Sequence, residues 1–124
     1  MRENYPLFAL WYQTLQWILT TLEKFPKNAR FTVASRLADA ALDTMELIVE
    51  AIYTKERVQL LNKINLRLET QRVLFRVAHD RRFLSTRQYE YVAKALDEAG
   101  RMVGGWRKQS LEKMRSPDGT SGLV

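Results

Sequence analysis

Apolar positions recur along this chain with the three-and-four spacing of helices, and they do so in four separate stretches. In the first, Phe8, Trp11, Leu15, Ile18, Leu22 and Phe25 form one stripe at helical period. Pro6 suits the opening turn, where its missing N–H has no helical partner to lose. Phe25-Pro26-Lys27-Asn28 closes the segment, because the ring of Pro26 disfavours helical geometry at Phe25. The second stretch carries Ala34, Ala38, Ala41, Met45, Ile48 and Ile52. Its opposite side holds Asp39, Asp43, Glu46 and Glu50, which fall together at about 100° per residue as an acidic stripe. Such a stripe is either a solvated face or a docking edge for a basic surface.

Near Tyr53-Thr54-Lys55-Glu56 the pattern loses phase, and Thr54 is a candidate cap for the next helix. The third stretch turns Leu61, Ile64, Leu68, Phe75 and Ala78 one way and Leu66, Val73 and Val77 roughly the other. Two apolar sides require two packing partners, so this helix is either the most enclosed in the fold or part of a subunit interface, and the interface is the favoured reading. Ser85 and Gln88 have capping-box spacing ahead of a fourth helix. There Tyr89, Val92, Leu96, Ala99, Val103 and Trp106 make the cleanest heptad of the chain. On its other side Arg87, Lys94, Arg101 and Lys108 place one cation in every heptad.

The pattern predicts an all-α fold, an up-down-up-down antiparallel four-helix bundle over residues 1–114. Its helices cover about 5–24, 29–53, 55–82 and 86–113, with a flexible tail over 115–124. At 1.5 Å per residue the bundle is about 35 to 40 Å long. A chain of 124 residues fits one domain and buries a core unaided. Its 46% hydrophobic and 27% charged content leaves disorder out. No stretch approaches the roughly 20 apolar residues of a membrane span, and the amino terminus lacks a signal-peptide pattern, so a cytoplasmic, membrane-free location is expected.

Charge and chemistry narrow the function classes. Lysine and arginine number 20 against 14 acidic residues, a net charge of +6 that favours polyanionic partners. Cysteine is absent, which removes thiolate nucleophiles and cysteine metal sites. The single histidine, His79, has no nominated nucleophile and reads as a helix-end residue favoured by the dipole. No Glu-x-x-His pair, P-loop or nucleophile elbow occurs, so no catalytic residue, metal, cofactor or small-molecule substrate is assigned. Among the cations, Arg72 and Arg76 stand one turn apart on the third helix with Glu69 as their nearby carboxylate. Lys63 and Arg67 lie on another side. Glu90 to Lys94 and Asp97 to Arg101 have the i, i+4 spacing of helix-supporting pairs, which makes the arginine pair the better candidate for phosphate or partner contact. Glycines inside the fourth helix each cost about 1 kcal/mol against alanine. Gly100 and Gly104 share a face, so close helix packing is expected there, with Trp106 alongside.

Three blocks together carry a family resemblance: Phe25-Pro26-Lys27 with Arg30, the Arg72 and Arg76 pair, and Glu98-Ala99-Gly100-Arg101-Met102-Val103-Gly104-Gly105-Trp106. Over roughly residues 5 to 113 the chain resembles the accessory variability determinant proteins of diversity-generating retroelements. These sit in a wider group of small bacterial four-helix bundles that includes proteins encoded in ribosomal RNA intervening sequences. Ala40-Ala41-Leu42-Asp43 stands where the wider group often has isoleucine, proline and asparagine before alanine and glutamate, which favours the retroelement branch. The resemblance implies a homopentameric barrel that binds the retroelement reverse transcriptase and template RNA or cDNA, without catalysis of its own. It also implies that Arg72 and Arg76 match the family's basic pair. The alternative is a protein-association module assembled by complementary charged helix faces, with no nucleic-acid role.

Overall fold

A computed structural model describes residues 2–115 as four helices, with no strand among the described residues. They are α1 (Pro6–Leu22), α2 (Ser35–Ile52), α3 (Val58–Asp80) and α4 (Thr86–Arg115). Each helix packs on its two neighbours in the order α1, α2, α3, α4 and back to α1, the arrangement that short turns between long amphipathic helices impose. Residues 116–124 of the expected tail lie outside the described residues, and Arg115 still belongs to α4.

The stripes become the core largely as their periodicity demands. Trp11, Leu15 and Ile18 of α1, Leu61, Ile64, Leu68 and Phe75 of α3, and Val92, Leu96 and Val103 of α4 are buried. Each fully buried large side chain contributes about 1.5–3 kcal/mol. In α2 the buried face is rotated from the expected one: Leu37, Ala40, Thr44 and Ala51 join it, while Ala38 and Met45 sit at its edge. Three-and-four spacing admits either edge of the stripe, and within the regular α-helix from Ser35 packing takes the Leu37 and Thr44 side over the Ala38 and Met45 side. Upstream, the chain leaves Pro26 through a 3-10 turn (Lys27–Ala29) and a π-helical turn (Arg30–Ala34), where Ala34 is buried as its place in the stripe requires.

Hydrogen bonds within and between helices tie down polar side chains in the core, apart from the Gln71 amide oxygen, which is buried without a partner among the described residues. The Trp11 indole donates to the Ala41 carbonyl at 3.0 Å, joining α1 to α2. Gln71 is fully buried; its amide donates to the Thr44 hydroxyl at 3.0 Å, and Thr44 donates to the Ala40 carbonyl at 2.8 Å. No periodicity argument nominates Gln71 or Thr44 for the core, because a buried polar pair is favourable only once its partner is in place.

The turns differ in how they are made. Thr54 does not cap α3: its hydroxyl donates to the Glu50 carbonyl at 2.6 Å and so closes α2, and α3 starts only at Val58. The Ser85 and Gln88 capping box forms in both directions, Ser85 N–H to Gln88 Oε1 at 2.8 Å and Gln88 N–H to Ser85 Oγ at 3.1 Å. α3 ends in a Schellman turn, with Phe83 N–H on the Ala78 carbonyl at 2.8 Å and Arg82 N–H on the His79 carbonyl at 2.9 Å. The left-handed residue in that turn is Arg82, φ 63°, at a position where glycine would be less strained by about 1 kcal/mol.

Candidate nucleic-acid and partner surface

Helix α3 points its second apolar side outward. Leu66 and Val73 are 61% and 59% exposed and Val77 is 37% exposed, so among the described residues this side is largely uncovered. The ridge runs between two charged flanks. Toward α2, Arg67 Nε meets Asp43 Oδ2 at 3.7 Å, with both side chains well exposed, and Lys63 is exposed with no ion-pair partner among the described residues. Asp39, Glu46 and Glu50 stay exposed along the rest of the acidic stripe, without an ion-pair partner among the described residues.

Toward α4 the arginine pair splits. Arg72 is held inside the chain: Nε donates to Asp97 Oδ1 at 3.3 Å, Nη1 pairs with Glu69, and Nη2 donates to the Leu96 carbonyl at 3.2 Å. The guanidinium fork thus clamps α3 to α4, using a carboxylate from the neighbouring helix that sequence spacing does not assign to it. Arg76 is exposed and has no hydrogen-bond or ion-pair partner among the described residues.

On α4 the expected i, i+4 pairs do not close, because Asp97 turns to Arg72 rather than Arg101, and Glu90 forms no ion pair with Lys94. Arg87, Lys94, Arg101 and Lys108 are all exposed, without a carboxylate partner among the described residues. Their seven-residue spacing puts them about 10.5 Å apart along one face. Next to this row a shallow groove between α3 and α4 is lined by Asn62, Asn65, Gly104, Arg107 and Lys108, and Arg107 donates to Asn62 at 2.6 Å.

Close helix packing does not explain the glycines. A side chain added at Gly104 or Gly105 would meet nothing within 4 Å, and both residues are exposed. Only at Gly100 is there a neighbour, and it is the Arg72 guanidinium, 3.0 Å from where a Cβ would sit, rather than a helix backbone. Trp106 does bridge elements: its ring lies 5.3 Å from that of Tyr5 and carries the Arg57 guanidinium at 5.0 Å.

His79 stacks on Tyr89 at 4.6 Å, and its Nε2 lies 3.2 Å from the Thr86 hydroxyl. This contact anchors the start of α4 to the end of α3. Among the described residues no group of three or more histidine, cysteine or acidic side chains is placed to hold a metal ion, and no helix is long and apolar enough to cross a membrane.

The protein is a four-helix bundle whose outer surface carries one bare apolar ridge and one row of cations without ion-pair partners among the described residues. The chain belongs to the bAvd-like family, whose profile matches residues 9–110, in agreement with the resemblance carried by its three sequence blocks. No curated protein matches the chain.

Proposed function

We propose that the protein is a non-enzymatic accessory factor of a diversity-generating retroelement, which binds the reverse transcriptase and template RNA or cDNA during mutagenic copying. Membership of the bAvd-like family gives the setting. The observation that carries nucleic-acid contact is the row Arg87, Lys94, Arg101 and Lys108, exposed and without a carboxylate partner among the described residues. Cations without internal partners can replace the counterions condensed on a phosphate backbone, whereas Arg72 would first have to leave Asp97 and Glu69. Arg76 belongs with the free row. In this reading the Leu66, Val73 and Val77 ridge is covered by another copy, the homopentamer being the form the family implies, and repeats the cation row around the assembly.

The test is the salt dependence of binding to structured template RNA. Affinity should fall steeply with salt, by about 0.7–0.9 in log–log slope per phosphate contacted. Binding indifferent to salt would remove phosphate contact from the account. Association with the reverse transcriptase is checked by copurification with and without added nuclease.

A second reading has its own observation. Asp39, Glu46 and Glu50 are as free as the α4 cations, so the acidic face of one copy could meet the basic face of the next and specify assembly alone. Light scattering at low and high salt separates the two. An assembly held by charge dissociates as salt screens it, and one held by the apolar ridge persists.

A further inference from the structure

The bundle has one strongly basic end. Antiparallel order brings the turn between α1 and α2 beside the turn between α3 and α4, and the rings of Phe25 and Phe83, 5.6 Å apart, join them. This end collects Lys24, Lys27 and Arg30 from the first turn and Arg81, Arg82 and Arg87 from the second. Opposing them are Glu23, Asp80 and, one turn into α4, Glu90, and none of these cations forms an ion pair among the described residues. Of the arginines at this end, Arg81 lies over the Phe83 ring at 5.9 Å; at the other end Arg57 lies over Trp106 and donates to the Thr54 carbonyl, and Arg2 pairs with Glu3.

Two features of the basic end run against local stability. Phe31, in the π-helical turn, is 86% exposed, more than any other large apolar side chain described. The wide turn carries its ring away from the core that Ala29 and Ala34 enter on either side. Arg82 occupies the left-handed position of the Schellman turn, where glycine is the less strained choice. An open groove of about 740 Å³ on this end is lined by Lys24, Asp80, Arg82, Ser85 and Thr86, and Phe31, Lys27 and Arg30 stand outside its lining, in the first turn. A bare aromatic ring on an end that also carries guanidinium and ammonium groups without ion pairs matches one chemistry: a flexible polyanion whose planar groups are free to stack.

We infer that this end of the bundle seats a single-stranded segment of nucleic acid, one base stacked on Phe31 and the flanking phosphates held by Arg82, Lys27 and Arg30. The inference rests on the nucleic-acid reading above and adds to it a strand preference and a place at the bundle end, beyond Arg87 where the α4 row starts. A closed duplex keeps its bases stacked on one another and offers the ring nothing, so Phe31 selects unpaired segments, while the α4 cations serve any phosphate backbone.

The experiment compares the full-length chain with Phe31→Ala and Arg82→Gly, using fluorescence anisotropy on an oligouridylate of about 20 nucleotides and on a duplex RNA of equal length. Phe31→Ala should weaken single-strand binding by about tenfold, the scale of one lost base stack, and leave duplex binding unchanged. Arg82→Gly should raise the melting temperature and yet weaken single-strand binding, lowering the log–log salt slope by about 0.7. That opposite movement of stability and affinity is one that a merely structural residue would not show. Single-strand affinity unchanged by Phe31→Ala, or lost equally on both probes, overturns the seat and leaves the broader reading standing. A change in assembly mass on Phe31→Ala with single-strand affinity intact identifies the end as a protein contact and also overturns it. Wild-type protein that binds neither probe overturns both.

Discussion

Helix α3 carries four lysines and arginines and α4 seven, and the two helices use them in different ways. Arg67 and Arg72 reach sideways and close ion pairs to Asp43 of α2 and to Asp97 of α4, while Arg87, Lys94, Arg101 and Lys108 stand on an outer face and close none. The difference is one of position on the wheel. A long cation at a helix flank finds the neighbouring helix within reach, and one at the crest finds only water. Flank arginines are thus part of what holds the bundle, and crest cations remain available to an outside partner.

The largest expected effect lies on the crest. Changing Arg87, Lys94, Arg101 and Lys108 together to glutamine should lower the log–log salt slope for RNA by about 3 and cut affinity at low salt by more than a hundredfold, with the melting temperature nearly unchanged. A variant that binds as wild type would end the division between the two helices. Next in size is Gly104→Ala with Gly105→Ala, which should stabilise the fold by about 1 kcal/mol at each site in urea titration, because nothing stands within 4 Å of the added methyls. If the double variant binds its partners more weakly although it is more stable, the bare backbone beside the groove between α3 and α4 is a contact surface.

On the flank, Arg72→Ala should lower stability by about 1 kcal/mol through loss of a fork shared by Asp97, Glu69 and the Leu96 carbonyl. Its effect on the RNA salt slope should be near zero. A fall in slope with stability intact would instead move Arg72 into the binding surface beside Arg76. Smallest is Arg67→Ala: its pair with Asp43 is long and largely exposed, so the expected loss is at most about 0.5 kcal/mol by denaturant midpoint.

Legibility followed physical range. The α1, α3 and α4 stripes, the Ser85 and Gln88 capping box and the doubly apolar α3 depend on residues three, four or seven apart, and they were readable from spacing alone. The binding surface was less so. Spacing paired Asp97 with Arg101, but Asp97 faces another helix and meets a longer, forked cation there. The close packing expected at Gly104 also failed, since Gly104 borders the open groove between α3 and α4 and a side chain there would meet nothing within 4 Å. Phe31 drew no notice in the sequence because its exposure depends on a π turn that no apolar stripe announces.

Taken alone, the sequence determined the helical period, which faces are apolar, where chain direction reverses and how much positive charge there is to place. Tertiary structure decided which carboxylates Arg67 and Arg72 meet, that the Gln71 amide donates to the Thr44 hydroxyl in the core, and that two distant turns meet through Phe25 and Phe83 to form one basic end. The reason is distance along the chain. Periodicity fixes the direction a side chain points from its own axis, but its partner stands on another helix, and only the packing of the four helices brings the two together.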